Sequence, residues 1–180
     1  MIDIHTDENF KSAYENMVRE IETAFKDVPV PLKKHISYIV SVEGELRDFI
    51  QEYDDLCTDK EEVISDLIDR NCDSLPRFSS KAYPFFVGAY IKRCLQLWFD
   101  KDTTQLMWVV YHIAPLNFGS YNIQQNKFLT PIQKEAIQHF LKFIVQYHDD
   151  EEYVELAQKT LDAGIYDTTV CLQKKTNEKY

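Results

Sequence analysis

Turn-forming residues are scarce in this chain, whose 180 residues include only four glycines and six prolines. Many short strands would need such residues at their ends, so the scarcity disfavours an all-β fold and favours long helices joined by few loops. Hydrophobic residues make up 44% of the chain, which is enough to build a core. We therefore predict an all-α fold, with a single compact multi-helix domain over residues 1–169 and a charged C-terminal tail over residues 170–180.

Long apolar runs and a targeting signal are also missing from the sequence. No stretch approaches the roughly 18 consecutive apolar residues of a membrane-spanning helix. The segment from Met1 to Glu8 lacks the basic and apolar regions of a signal peptide. The cysteines at positions 57, 72, 94 and 171 are widely spaced and form no C-x-x-C pair, so we interpret them as reduced thiols. These features predict a cytoplasmic protein with no membrane partner.

Basic residues are outnumbered, with 20 lysines and arginines against 30 acidic residues, and the formal net charge is −10. Nucleic acids and anionic membranes are polyanions, so neither is expected to bind this chain. A basic protein is the partner that the charge favours. An acidic surplus also keeps proteins soluble without any partner, and this second interpretation stays open. The sequence does not indicate an oligomeric state.

Helix start and stop signals divide the chain into about six or seven helices. Thr6 or Asp7 is the predicted cap of a helix that ends at Phe25, before the two prolines at positions 29 and 31. Residues 35–40 are rich in β-branched side chains and predict a short strand, an extended arm or the start of a helix. Further helices are predicted over residues 41–53, 58–70, 80–99, 106–114, 131–145 and 150–163.

The predicted central helix runs from Ser80 to Phe99 and carries a dense aromatic and aliphatic pattern. Ser79 or Ser80 is its expected cap. Pro84 lies too deep for a free first-turn position, so it either bends the first turn or moves the helix start forward.

The sequence Thr130-Pro131-Ile132-Gln133 is a capping box with a proline in the first helical position. Apolar residues follow at three- and four-residue spacing, which predicts one broad buried face. The residues of this predicted face are Ile132, Ala136, Ile137, Phe140, Leu141, Ile144 and Val145.

Five segments of the chain form one ordered pattern, namely Ala24-Phe25 with Pro29-Val30-Pro31, residues 76–79 leading into residues 82–90, residues 111–116, residues 127–133 and residues 136–141. Together, over roughly residues 21–144, they resemble a family of small bacterial proteins that form a domain of unknown function. One departure is Val87-Gly88, where that family tends to have leucine and proline. The resemblance implies an all-helical, cytosolic bacterial protein and transfers no catalytic residue.

Two groups of residues are candidate sites. Asp149, Asp150, Glu151 and Glu152 concentrate negative charge at a predicted helix start, where acids also serve as caps. They lack the glycine and the alternating ligand positions of a calcium loop. Tyr111 and His112 form the other candidate, because an imidazole can act as a base in a cleft. A histidine packed at the edge of an aromatic core is the alternative interpretation.

Glu135 and His139 lie four residues apart on one predicted helix, a spacing that can present both side chains to one metal ion. No further ligand motif accompanies them, so we predict a surface or boundary pair, and we expect neither a metal nor a cofactor.

These observations favour a non-enzymatic interaction protein, similar to an immunity protein or an antitoxin, whose acidic surface meets a basic protein. The residues expected at that surface are Asp149, Asp150, Glu151 and Glu152. The alternative is a small-molecule-binding or enzymatic helical module with a site near Tyr111, His112 and the polar segment 117–125.

Overall fold

Helices account for all of the regular secondary structure in the part of the chain that the structure describes. This computed structural model describes residues 7–36, 50, 52–53, 61–113 and 126–166. Within these ranges there are six α-helices and no β-strand, so the all-α prediction is confirmed. The predicted tail over residues 170–180, and most of the predicted helix over residues 41–53, lie outside the described residues. The helices are α1 (Glu8–Phe25), α2 (Glu61–Arg70), α3 (Tyr83–Phe99), α4 (Thr104–Ile113), α5 (Pro131–Tyr147) and α6 (Glu151–Asp162).

Side-chain caps fix the starts of α1 and α5. The Asp7 carboxylate accepts a hydrogen bond from the Asn9 backbone N–H at 2.8 Å. At α5 the Thr130 hydroxyl accepts from the backbone N–H of Gln133 at 3.3 Å, and the Gln133 side chain accepts from the Thr130 backbone N–H at 2.9 Å. This reciprocal pair is the capping box that the sequence predicts. Gly164 follows the end of α6 with a φ of 62°, the left-handed conformation expected after a helix.

The central helix begins three residues after the predicted Ser80, which confirms the alternative that Pro84 moves the helix start forward. Helix α3 begins at Tyr83, because Pro84 has no N–H and is best accommodated in the first turn. Ser79 caps the turn before the helix, since its hydroxyl accepts from the backbone N–H groups of Lys81 and Ala82, both at 3.3 Å. The same hydroxyl donates to the backbone carbonyl of His35. Ser79 therefore joins the start of α3 to the segment after α1.

The segment 35–40, predicted as a strand, an arm or a helix start, follows a single helical turn and shares only His35 with it. Lys33–His35 form a 3-10 turn, and Ile36 follows it, fully buried. The carbonyl oxygen of Ile36 accepts a hydrogen bond from the Ser79 backbone N–H at 2.7 Å. Residues 37–40 lie outside the described residues.

Helix α3 is the centre of the fold. It packs against α1, α2, α4 and the 3-10 turn Leu75–Arg77, while α5 packs against α1 and α6. Phe86 stacks on Phe78 at a ring distance of 4.0 Å, and at the other end of α3 Trp98 lies 6.0 Å from the Phe10 ring of α1. The aromatic pattern of residues 80–99 thus predicts the central helix correctly.

One member of the predicted buried face of α5 is exposed. Ile132 is 63% exposed, whereas Ala136, Ile137, Phe140, Leu141 and Ile144 are buried against the other helices. Ile132 belongs to the first turn of α5 and lines a surface groove instead of the core. Its prediction as a core residue is therefore wrong.

Candidate functional site

The acidic run lies at the corner between α5 and α6. Helix α5 ends at Tyr147 and α6 begins at Glu151, so the two helices are joined by three residues. The His148 backbone N–H bonds to the carbonyl of Ile144 at 2.9 Å and closes α5. This short connection brings the C-terminal end of α5 beside the first turns of α6.

The four acidic residues of the run have two different roles. Asp150 is the N-cap of α6, because its carboxylate accepts from the Glu152 backbone N–H at 2.9 Å. The Glu152 carboxylate accepts a hydrogen bond from the Tyr111 hydroxyl of α4. Asp149 is 92% exposed at its side chain, and Glu151 is also exposed. All four residues are exposed, and two of them, Asp150 and Glu152, also make hydrogen bonds that stabilise the fold.

A groove of about 450 Å³ runs along the exposed acids. Asp149, Glu151 and Glu155 contribute three carboxylates to it, and Val145 and Val154 contribute its apolar surface. Lys159 is its single lysine and pairs with Glu155 at 2.6 Å, which lowers the pKa of that carboxyl group. The complete lining is Val145, His148, Asp149, Glu151, Val154, Glu155, Gln158 and Lys159, and we call it the acidic groove.

His148 adds no positive charge to the acidic groove. Its ring lies 5.0 Å from the rings of both Trp98 and Tyr153, and only 3% of its side chain is exposed. Burial lowers the pKa of His148, so the ring is neutral at pH 7. Its Nδ1 accepts a hydrogen bond from the Asp150 backbone N–H at 3.0 Å, which places the ring proton on Nε2. The neutral ring therefore supports the corner and does not offset the charge of the carboxylates, of which Glu155 alone pairs with the lysine of the groove.

Tyr111 and His112 face different parts of the structure. Successive helical residues point about 100° apart. The Tyr111 hydroxyl reaches α6, and its hydrogen bond to Glu152 raises the pKa of Tyr111. His112 is 6% exposed and its ring lies 6.2 Å from that of Trp108. Neither residue lines the acidic groove.

Burial sets the protonation state of His112. It lowers the pKa of His112 to about 4, because the charged imidazolium would lose its hydration. Asp73 and Arg77 are its charged neighbours and act in opposite directions. They form an ion pair with each other at 3.1 Å. At neutral pH this histidine is therefore an uncharged residue of the interior.

His139 pairs with Glu20 of α1 and not with Glu135, its predicted partner on the same helix. Its Nδ1 lies 2.6 Å from the Glu20 carboxylate of α1, while Glu135 is exposed on α5. Across the ranges that the structure describes, no group of three or more histidine, cysteine or acidic side chains could hold a metal ion. The pair His139 and Glu20 thus ties α5 to α1.

A polar network joins three helices, and no sequence motif indicates it. Both oxygens of Asp69 on α2 accept from the Arg93 guanidinium of α3, at 2.8 and 2.5 Å. The Gln105 amide of α4 donates to Asp69 at 2.7 Å. The hydrogen bond from Arg93 lowers the pKa of Asp69 and outweighs the effect of burial. The three residues are far apart in the chain, so only the fold brings them together.

The sequence predicts part of the acidic groove. It identifies Asp149 and Glu151, but it does not include Glu155, Val145 and Val154. The four-residue spacing of Glu151 and Glu155 on one helix was the available signal for the third carboxylate. The two valines come from different helices, so their meeting depends on the turn between α5 and α6.

Comparisons with protein-family models, with curated proteins and with solved structures find no match to this chain. The resemblance to a bacterial family therefore stays a prediction. None of the described helices has the length and apolar character needed to cross a membrane.

Proposed function

We propose that this protein is a non-enzymatic binding module that recognises a basic partner protein at the acidic groove, in the manner of an immunity protein or an antitoxin. The observation that supports this proposal is the placement of Asp149, Glu151 and Glu155 around Val145 and Val154. Exposed carboxylates beside an apolar surface suit a partner that offers lysine or arginine together with apolar side chains.

The proposed binding has an electrostatic and an apolar contribution. A negative groove on a chain of net charge −10 speeds the approach of a basic protein, and salt weakens this effect. The valine side chains supply contact that does not depend on salt. Asp150 and Glu152 contribute to the local potential while their side chains hold the corner in place.

The test is affinity capture from a cell extract at low salt with three forms of the protein. The groove variant combines Asp149→Lys and Glu151→Lys, whose side chains are exposed. The control variant combines Glu15→Lys and Glu135→Lys, which are exposed on other surfaces and change the net charge by the same amount. The wild type and the control should capture the same basic protein, and the groove variant should not. Equal capture by all three forms would show that the acids serve solubility alone.

A small-molecule or catalytic site near Tyr111 and His112 is the alternative function. Tyr111→Phe and His112→Gln remove the two polar groups, and neither residue lines the acidic groove, although Tyr111 bonds to Glu152 at the corner beside it. If a mixture of metabolites yielded a small molecule that the wild type and the groove variant bind and that the His112→Gln variant does not, the alternative would replace the proposal. The polar segment 117–125, which belongs to this alternative, lies outside the described residues.

A further inference from the structure

Exposed large apolar side chains are concentrated in two short segments. Among the described residues five such side chains are exposed, and one of them, Phe99, stacks on Tyr14 at a ring distance of 4.6 Å. The other four lie in segments 28–32 and 128–132. They are more than half exposed, namely Val30 at 59%, Leu32 at 60%, Phe128 at 51% and Ile132 at 63%.

A second groove, of about 660 Å³, lies between the two segments. It is lined by Val28 and Pro29 of the first segment and by Phe128 and Ile132 of the second, whereas Val30 and Leu32 lie outside it. It lies between the C-terminal end of α1, the start of α3 and the first turn of α5. Its apolar surface comes from Ala24, Val28, Pro29, Pro84, Phe128 and Ile132. Exposed apolar patches with a polar rim mark interaction sites in soluble proteins, since leaving such side chains in water has a cost.

The rim of this second groove is basic, although the whole chain is acidic. Lys26 and Lys81 line it together with one acid, Asp27. Among the described residues, neither Lys26 nor Lys81 forms an ion pair. Burial lowers the pKa of His35, and the charge of the nearby Lys81 lowers it further. We call this surface the basic-rimmed groove.

We propose that the basic-rimmed groove binds a segment of a partner protein that combines apolar side chains with aspartate or glutamate. The apolar side chains would pack on Phe128, Ile132 and Val28, and the carboxylates would meet Lys26 and Lys81. This partner has the opposite charge to the one proposed for the acidic groove. The two grooves lie at opposite ends of α5, from Ile132 to Val145, or about 20 Å apart at 1.5 Å per helical residue.

The shape of the groove favours a peptide segment over a small molecule. A ligand pocket encloses most of its ligand, whereas Phe128 and Ile132 here remain more than half exposed. Addition of a β-strand to segment 28–32 is disfavoured, because Pro29 and Pro31 supply no backbone N–H. Recognition by side chains, with an amphipathic segment lying in the groove, is the mode that fits these features.

The test selects peptides from a displayed library of short random sequences on the immobilised wild-type protein. Peptides that also bind an Ile132→Ser variant are removed. Ile132 is largely exposed, so this change leaves the core intact. The enriched peptides should contain apolar residues and more aspartate and glutamate than lysine and arginine. A synthetic copy of an enriched peptide should bind the Ile132→Ser variant about tenfold more weakly than the wild type.

Charge variants distinguish a direct effect of the rim lysines from the effect of the net charge of the protein. Lys81→Glu should weaken the same peptide about tenfold and reduce the dependence of its binding on salt. Lys11→Glu makes the same change in charge at the other end of α1, so it should leave the affinity unchanged. The double change Asp149→Lys with Glu151→Lys should not weaken the peptide, which makes this test independent of the proposed function.

Four results would overturn the proposal. The first two concern the selection, which could yield no peptide that distinguishes the wild type from Ile132→Ser, or could yield basic or uncharged peptides. The third is an equal effect of Lys81→Glu and Lys11→Glu on peptide affinity. The fourth is a dimer, detected by sedimentation equilibrium, that Ile132→Ser dissociates. The last result would assign the groove to a second copy of this chain.

Discussion

The Cβ atom that Gly88 lacks would lie 2.5 Å from Cγ of Phe25. Helix α3 therefore carries a glycine where the last residue of α1 packs directly on its backbone. The Phe25 Cδ1 and Cβ atoms are also close, at 2.7 and 2.9 Å from the same point, so a rotation of the ring alone would not make room. The crossing of α1 over α3 depends on this missing methyl group.

Gly88→Ala should destabilise the protein by about 1 kcal/mol. Alanine favours a helix by nearly 1 kcal/mol relative to glycine, but an overpacked contact costs roughly 1–3 kcal/mol. Urea denaturation measures the difference. In a Phe25→Ala background, which removes the two closest atoms, the same change should cost less. A stabilising Gly88→Ala in the wild-type background would contradict the close approach of the two helices.

Phe86→Ala should destabilise the protein by about 3 kcal/mol or more, because the ring is fully buried and stacks on Phe78. The neighbouring Phe85 is only partly buried and gives a matched control on the same helix. Phe85→Ala should therefore cost less than Phe86→Ala when the urea midpoints of the two variants are compared. Equal losses would mean that the two rings are buried to the same degree.

Neighbouring aspartates at the corner of α5 and α6 should respond differently to alanine. Asp150→Ala removes the N-cap of α6 and should lower the free energy of unfolding by about 1 kcal/mol. Asp149→Ala changes an exposed side chain and should have little effect on thermal unfolding. The reverse order would indicate that Asp149 caps the helix.

His112 should make stability fall as the pH falls from about 6.5 to about 4. Its folded-state pKa is about 4, below the ordinary value of 6.5, so the unfolded chain takes up the proton first. The stabilisation that is fully present above pH 6.5 is therefore lost over this range, by up to about 3 kcal/mol. Urea unfolding at several pH values measures the slope.

The control for this pH dependence is His112→Gln, which has no titrating ring. Its slope between pH 6.5 and 4 should be smaller than that of the wild type. Some slope should persist in the variant, because burial also lowers the pKa of His148. Identical slopes in the wild type and the variant would show that His112 is hydrated in the folded state.

Signals that act within a few residues could be predicted from the sequence. The caps at Asp7, Thr130 and Asp150 involve donors at most three residues away, and each of these helices begins where the sequence indicates. The start of α3 stays open between two alternatives in the sequence, because two serines and a proline compete locally and Ser79 also bonds to the segment after α1.

Features that depend on packing between distant segments could not be predicted in this way. The three- and four-residue spacing places Ile132 on the same stripe as Phe140, but at the first turn of α5 no helix covers that stripe. The basic rim could not be predicted either, since Lys26 and Lys81 are far apart in the sequence and come together only at the groove. Of the acidic run, the sequence identifies the residues but not which of them make hydrogen bonds within the fold.

The packing of α1 has a consequence for synthesis on the ribosome. Phe10 of α1 lies 5.8 Å from Phe143 of α5, yet α5 is translated roughly 100 residues after α1 ends. At a synthesis rate of roughly 5–20 residues per second, α5 is completed on the order of ten seconds after α1. During that interval its apolar side is available to chaperones and to other nascent chains. Slow codons between residues 26 and 131 would lengthen the interval without changing a single contact of the finished fold.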